Sequence, residues 1–286
     1  SVLSNDIKCL DKNIKKQKTL SNIPKLYDAP NAGGSKSEQC VLILTEGDSA
    51  KTMAVSGISE IKNGRDYYGI FPLRGKLLNV RDATPNMLLK NEEIKALKQI
   101  IALQQDKEYS SLSELRYGRI MVLTDADVDG SHIKGLIFNF IHCFWPCLLK
   151  LDFLKGFQTP IIKATKRNDV KSFYTQIEFD NWKSIPEHGA NGYTIKYYKG
   201  LGTSTSSEAK EYFKNLSTNT VQYKFDENTD TAIKLAFKKD LSDLRKEWIV
   251  NGINRNDYID YSLKDITFNN FINNELVWFS IADVKR

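Results

Sequence analysis

Two short runs with no polar residue, Val41-Leu42-Ile43-Leu44 and Ile120-Met121-Val122-Leu123, constrain the fold of this chain more than any other feature. Neither alternates with polar side chains, so each reads as a strand covered on both faces, the pattern of a parallel sheet flanked by helices. Each run ends in an acidic turn, Thr45-Glu46-Gly47-Asp48-Ser49 in one case and Thr124-Asp125-Ala126-Asp127-Val128-Asp129-Gly130-Ser131 in the other. Each turn leads into a helical pattern, Ala50 to Val55 after the first and about His132 to Phe144 after the second. Strand, acidic turn and helix, repeated, imply an α/β fold. Ligands in such sheets sit beyond the carboxyl ends of the strands, and both acidic turns lie at that end.

At 286 residues the chain is long enough for one core with a sizeable appendage, or for two lobes. Apolar residues make up 41% and charged residues 27%, a balance that argues against wholesale disorder. The longest apolar run, around Leu136 to Leu149, is broken by Asn139, His142 and Pro146 and does not suit a bilayer. Ser1 to Leu10 contains Asp6 and Lys8 and no signal-like apolar block, so the expectation is an intracellular protein with no membrane partner. Cys9, Cys40, Cys143 and Cys147 form no CxxC pair and read as buried thiols rather than zinc ligands. The net charge of +6 is compatible with a polyanionic partner without establishing one.

Residues 1–38 carry scattered lysines followed by Pro24, Pro30, Gly33, Gly34, Ser35 and Ser37, a composition that reads as a connector. Thr84 and Pro85 announce a helix whose apolar stripe runs through Ile94, Leu97 and Ile101. Beyond Pro160 the pattern weakens until Tyr193-Thr194-Ile195-Lys196-Tyr197-Tyr198, which alternates as a third strand does. Thr205 with Glu208 forms a capping box, and Ala209, Tyr212, Phe213 and Leu216 make a helical stripe behind it. Phe237, Leu241, Leu244 and Trp248 suggest one face of further helix.

In an extended segment alternate side chains share a face, so Asp125, Asp127 and Asp129 are expected to converge just past a strand end, with Glu46 arriving from the other strand. Carboxylates gathered in this way repel one another and call for a cation, and an all-oxygen set suits magnesium better than zinc. Asp-x-Asp-x-Asp-Gly also opens an EF-hand loop, but Leu136 occupies the twelfth position where that loop needs Glu, and a strand precedes it rather than a helix. A solvated acidic turn with no ligand remains the bland alternative. No G-x-G-x-x-G or G-x-x-x-x-G-K-[ST] turn follows either strand, which excludes those nucleotide sites. Gly47-Asp48-Ser49-Ala50-Lys51 lacks the second glycine of a nucleophile elbow, and Ser49 reads as a helix cap. His132, His142 and His188 have no metal-binding spacing; His132, beside the acidic turn, is the one of interest.

Arg74-Gly75-Lys76, with Arg81 behind it, places cations on a glycine-containing turn suited to a phosphate, although a solvated basic loop looks the same in isolation. Lys199-Gly200-Leu201-Gly202-Thr203-Ser204 is a strand-to-helix turn whose amides and helix N-terminus offer another phosphate site.

Taken together and in order, Glu46-Gly47-Asp48-Ser49-Ala50, Pro72-Leu73-Arg74-Gly75-Lys76-Leu77-Leu78-Asn79-Val80 and Thr124 to Ile133 resemble the motifs of type IIA DNA topoisomerases. Tyr197-Tyr198-Lys199-Gly200-Leu201-Gly202-Thr203-Ser204, Arg245-Lys246-Glu247-Trp248 and Asn270-Phe271-Ile272-Asn273-Asn274-Glu275-Leu276 extend the resemblance from about Ile23 to the C-terminus and favour the eukaryotic branch. The resemblance implies a TOPRIM fold, a Rossmann-like parallel sheet flanked by helices, with a mostly helical C-terminal extension leading toward a winged-helix domain. It divides the chain into a connector at 1–38, a TOPRIM core at 39–159 and an associated extension at 160–286. It implies that Glu46, Asp125 and Asp127 are catalytic and, with Asp129, hold one or two Mg2+ ions. Arg74, Lys76, Lys199 and His132 become candidate contacts to double-stranded DNA.

The family's chemistry implies more than this stretch carries. Its nucleophilic tyrosine lies in a winged-helix context that none of the 13 tyrosines here occupies, and its ATP-binding module precedes the connector, so ATP is a cofactor of the full-length enzyme only. The full-length enzyme is expected to be a homodimer, and this stretch by itself to bind metal and DNA weakly without cutting. A TOPRIM nuclease or primase-like protein, and a DNA-binding scaffold with a structural acidic cluster, remain alternatives. Ala126 stands between the aspartates, as in bacterial members, where cellular eukaryotic enzymes usually carry Gln. A divergent eukaryote or a large DNA virus fits, which places the protein in a nucleus or in host cytoplasm.

Overall fold

In the first strand, β1 (Val41–Glu46), Leu42 and Leu44 enter one hydrophobic core while Val41 and Ile43 enter another, which is the period-2 alternation of a strand buried on both faces. β3 (Arg119–Leu123) repeats this, with Ile120 and Val122 on the first face and Met121 and Leu123 on the second. The computed structural model describes residues 14–20, 23–186, 191–255 and 257–285; Cys9 and His188 fall outside them.

The central sheet has six strands in the order β2-β1-β3-β4-β8-β9, with β2 at Tyr68–Leu73, β4 at Leu154–Phe157, β8 at Thr220–Lys224 and β9 at Asp265–Thr267. β2, β1, β3 and β4 run parallel; β8 pairs antiparallel with β4 and parallel with β9. β2 was not apparent in the sequence because Gly69 and Pro72 interrupt its apolar run. Its place at the sheet edge explains why a proline is tolerated there. From β1 the chain passes to β2 on one side and then to β3 on the other, so the topology switches at β1, where α/β sheets open a ligand crevice.

One face of the sheet is covered by α1 (Gly47–Ile58) and by a later helix at Ser206–Lys214, through Met53, Ala54, Ile58, Ala209 and Phe213. Across the other face runs the helix Val128–Phe144, with the helices Thr229–Phe237 and Val277–Lys285 packed against it. The helix expected behind Thr84 is two: Pro85–Lys90, capped by the Thr84 hydroxyl, and Glu92–Ile101, capped by Asn91. The expected third strand exists as β7 (Thr194–Tyr197), but it belongs to a separate three-stranded antiparallel sheet with β5 (Ile162–Lys166) and β6 (Asp169–Phe173). In the last third, Phe237 and Trp248 are buried but Leu244 is 53% exposed, so the suggested four-residue face does not form.

The part of the connector-like stretch that is described lies against the core. Ala29 and Ala32 are buried, Tyr27 bridges to Ile70 of β2, and Arg116, fully buried, binds the Gln17 and Lys18 carbonyls and the Asp28 carboxylate. Cys40 is a buried free thiol, whereas Cys143 and Cys147 are free and only partly buried. Among the described residues no helix is long and apolar enough to cross a membrane.

Candidate metal and nucleic-acid site

Register places the candidate residues on one edge of the sheet. Glu46 pairs with Leu73 and Thr45 with Leu123, so the carboxyl ends of β1, β2 and β3 are level and deliver Glu46, Arg74 and Asp125 side by side. β1 turns directly into α1 at Gly47, whose φ of 78° is open to glycine and strained for other residues. The helix therefore starts at Gly47, and Ser49 is an exposed residue of its first turn rather than the cap.

The Glu46 carboxylate reaches across to the second turn, where its Oε2 accepts the Asp125 backbone N–H at 3.1 Å. Burial pushes the Glu46 carboxyl above the ordinary carboxylate range; that hydrogen bond opposes the shift, and the charges of Asp125, Asp127 and Asp129 reinforce it. Asp125 Oδ1 accepts the Leu201 N–H at 2.7 Å, and Asp127 caps the Val128–Phe144 helix through the Gly130 N–H at 2.7 Å.

Because that helix begins at Val128, four residues before His132, the extended alternation stops at Asp127. Asp129 sits inside the first helical turn and pairs with Lys76 at 2.7 Å. The expected face of three alternating aspartates is therefore replaced by two extended ones and one helical one. Among the described residues no three acidic, histidine or cysteine groups close into a ready metal shell. Magnesium does not need one. It keeps several waters and binds through one or two carboxylates plus substrate phosphate, so the exposed Asp127 and the adjoining Glu46 and Asp125 form a donor set of the right chemistry.

The basic elements divide on inspection. The Arg74 backbone N–H is held by Glu93 Oε1 at 2.7 Å, which fixes the turn and leaves the Arg74 side chain exposed on the same cleft as Glu46. Lys76 is engaged by Asp129 and lies 4.6 Å over the Phe279 ring. Lys199 is exposed. Within its turn the Leu201 amide is taken by Asp125, and the following helix carries the Thr205–Glu208 capping box, so fewer amides face a phosphate than the sequence suggests. His132 stacks on Phe279 with centroids 3.8 Å apart, and burial, with Lys76 nearby, lowers its pKa to about 4, so it carries no charge to a phosphate at neutral pH.

Sequence reasoning assigned no role to a second group beside the site. Glu275 accepts from both Lys134 Nζ and the Ser131 hydroxyl at 2.7 Å, tying the C-terminal helical run to the helix that starts at the acidic turn. Asn79, Arg81, Asn139, His142 and Asp230 form a further polar chain behind Lys76. Polar residues on the otherwise apolar Val128–Phe144 helix were the available signal.

Comparison with known proteins bears directly on this arrangement. Residues 41–158 match the Toprim domain and residues 157–284 the C-terminal associated domain of TOPRIM. DNA topoisomerase 2, mitochondrial, of Dictyostelium discoideum is 53% identical over 268 residues, 92% of this chain and 21% of that protein. The chain belongs to the type IIA DNA topoisomerases, as their TOPRIM region. DNA topoisomerase 2-alpha of Homo sapiens is 48% identical over 287 residues, 95% of this chain, and the TOPRIM region here spans 18% of its length. The crystal structure of the Plasmodium falciparum topoisomerase II DNA-binding, cleavage and re-ligation domain superposes with a TM-score of 0.89 at 44% identity, covering 94% of this chain and 37% of that one. The α/β fold with a helical C-terminal end agrees with that neighbour.

Proposed function

We propose that this TOPRIM region supplies the metal-binding half of a DNA-cleaving centre in an ATP-dependent type IIA topoisomerase, a homodimer in its full-length form that breaks one duplex and passes another through it. The observation that carries the reading is the juxtaposition of Glu46, Asp125 and the Arg74 turn on level ends of three adjacent parallel strands. Glu46, Asp125 and Asp127 would hold Mg2+, with Asp129 on the rim through Lys76. The bound cation would supply charge stabilisation for the attacking and leaving oxygens of a phosphodiester.

The residues of this chain do the positioning. Arg74 and Lys199, both exposed, meet the DNA backbone; Lys76 is shared between Asp129 and that backbone, while His132 acts as an apolar support for the Phe279 ring. The nucleophilic tyrosine and the ATPase are contributed from outside these residues. The family names borne by the relatives and the DNA-binding, cleavage and re-ligation title of the Plasmodium neighbour support this assignment.

Asp127→Asn in the full-length enzyme tests it. We expect Mg2+-dependent strand cleavage to fall by about a hundredfold or more, the scale of losing an electrostatic transition-state contact, while ATP hydrolysis persists. Undiminished cleavage would refute the assignment.

A further inference from the structure

We infer that the Lys199–Gly202 turn is a positioning element for Asp125: the Leu201 amide grips one carboxylate oxygen, and the bare Cα of Gly200 lets the carboxylate lie flat against the backbone. The inference rests on the metal-binding reading above and assigns the turn a part other than phosphate binding.

Leu201 N donates to Asp125 Oδ1 at 2.7 Å. A Cβ at Gly200 would lie 2.5 Å from Oδ2, 2.9 Å from Cγ and 3.1 Å from Oδ1 of the same carboxylate. Both oxygens thus face one dipeptide. The glycine is not there for its backbone freedom, since φ 179° and ψ 176° are extended angles open to any residue. Close approach is the remaining reason for it.

The turn is anchored well enough to serve as a template. The Leu201 side chain is buried in the core with Leu123 and Tyr212, the Tyr198 N–H binds the Ile161 carbonyl at 2.8 Å, and the Thr203 N–H binds the Gly200 carbonyl at 3.0 Å. Beyond it, Glu208 takes Lys196 Nζ at 2.8 Å and the Tyr198 hydroxyl, which ties the strand before the turn to the helix after it. Partners that orient a ligating carboxylate commonly matter as much as the ligands. A template supplied by the TOPRIM-associated segment makes the acidic turn of the sheet depend on a loop more than seventy residues away, at |i−j| of 76.

Gly200→Ala is an unusually clean probe. The three atoms nearest the added methyl all belong to the Asp125 carboxylate, a side-chain end at the surface rather than core backbone, so folding is expected to survive while the carboxylate is pushed from its seat. Mn2+, standing in for Mg2+, is titrated by electron paramagnetic resonance into the chain, Gly200→Ala, Asp125→Ala, the double variant and Asp127→Asn. Exchange of the Leu201 amide is followed by NMR. We expect Gly200→Ala to weaken Mn2+ binding about 10- to 100-fold with a near-unchanged melting temperature and faster Leu201 exchange. In the Asp125→Ala background it should cost nothing further. Wild-type affinity in Gly200→Ala, with Asp127→Asn impaired, overturns the positioning inference alone. Equal binding by wild type and Asp127→Asn overturns the metal reading and this inference with it.

Discussion

Glu46 Oε2 and the Asp125 backbone N–H are joined at 3.1 Å, a bond that closes the gap between the ends of two neighbouring parallel strands. It places a partly buried carboxylate within the field of three aspartates, and the site on this edge therefore depends on the sheet keeping its register. The packing and polar contacts around that sheet can be tested one at a time.

α1 carries Gly57 where the Phe213 ring approaches from the helix Ser206–Lys214, and a Cβ there would sit 2.1 Å from Phe213 Cδ2. Gly57→Ala is expected to destabilise by roughly 1–3 kcal/mol through overpacking, read from urea denaturation midpoints. A variant as stable as wild type would show that the two helices are not in such close contact.

Arg116 is fully buried and its guanidinium is 2.6 Å from Asp28. Arg116→Met should cost roughly 3 kcal/mol, the low end for a broken buried pair because Asp28 keeps some solvent contact. It should also expose residues 14–38 to limited proteolysis. Unchanged protease resistance would mean that this segment is held by its apolar contacts instead.

His142 lies below its ordinary pKa, chiefly through burial, with the Asp230 hydrogen bond pulling the other way and Arg81 adding to the depression. Arg81 donates to Nδ1 at 2.6 Å, so the neutral ring carries its proton on Nε2 and donates it to Asp230 at 2.6 Å. A folded-state pKa depressed below the unfolded value contributes stability above that value and loses it as the pH falls. Denaturation midpoints should therefore drop as pH falls below about 6.5, and His142→Gln should flatten that slope. An identical slope in the variant would assign the dependence to other groups.

Much of the architecture was legible where burial dictated composition. β1 and β3 were readable because both faces are covered, and the Thr205–Glu208 box because capping is local chemistry. β2 was hidden by Gly69 and Pro72, and the antiparallel β8 could not be placed because it pairs with β4 across a long stretch of chain, Gly156 opposite Val221. Within the site, Glu46 and Asp125 were placed correctly at adjacent strand ends. Asp129 was expected in the extended alternation but lies in the first helical turn, because nothing in Asp-x-Asp-x-Asp announces that Asp127 is a helix cap. The Leu201 amide was beyond reach of sequence reasoning, since backbone donors have no side-chain signature.

Mn2+ uptake by the chain and by an Asp125→Asn/Asp127→Asn variant, measured with a short DNA duplex present to supply phosphate oxygens, bears most directly on the central claim. Saturable binding of one or two ions that disappears in the variant is the expected result. The same uptake by both proteins would contradict the claim.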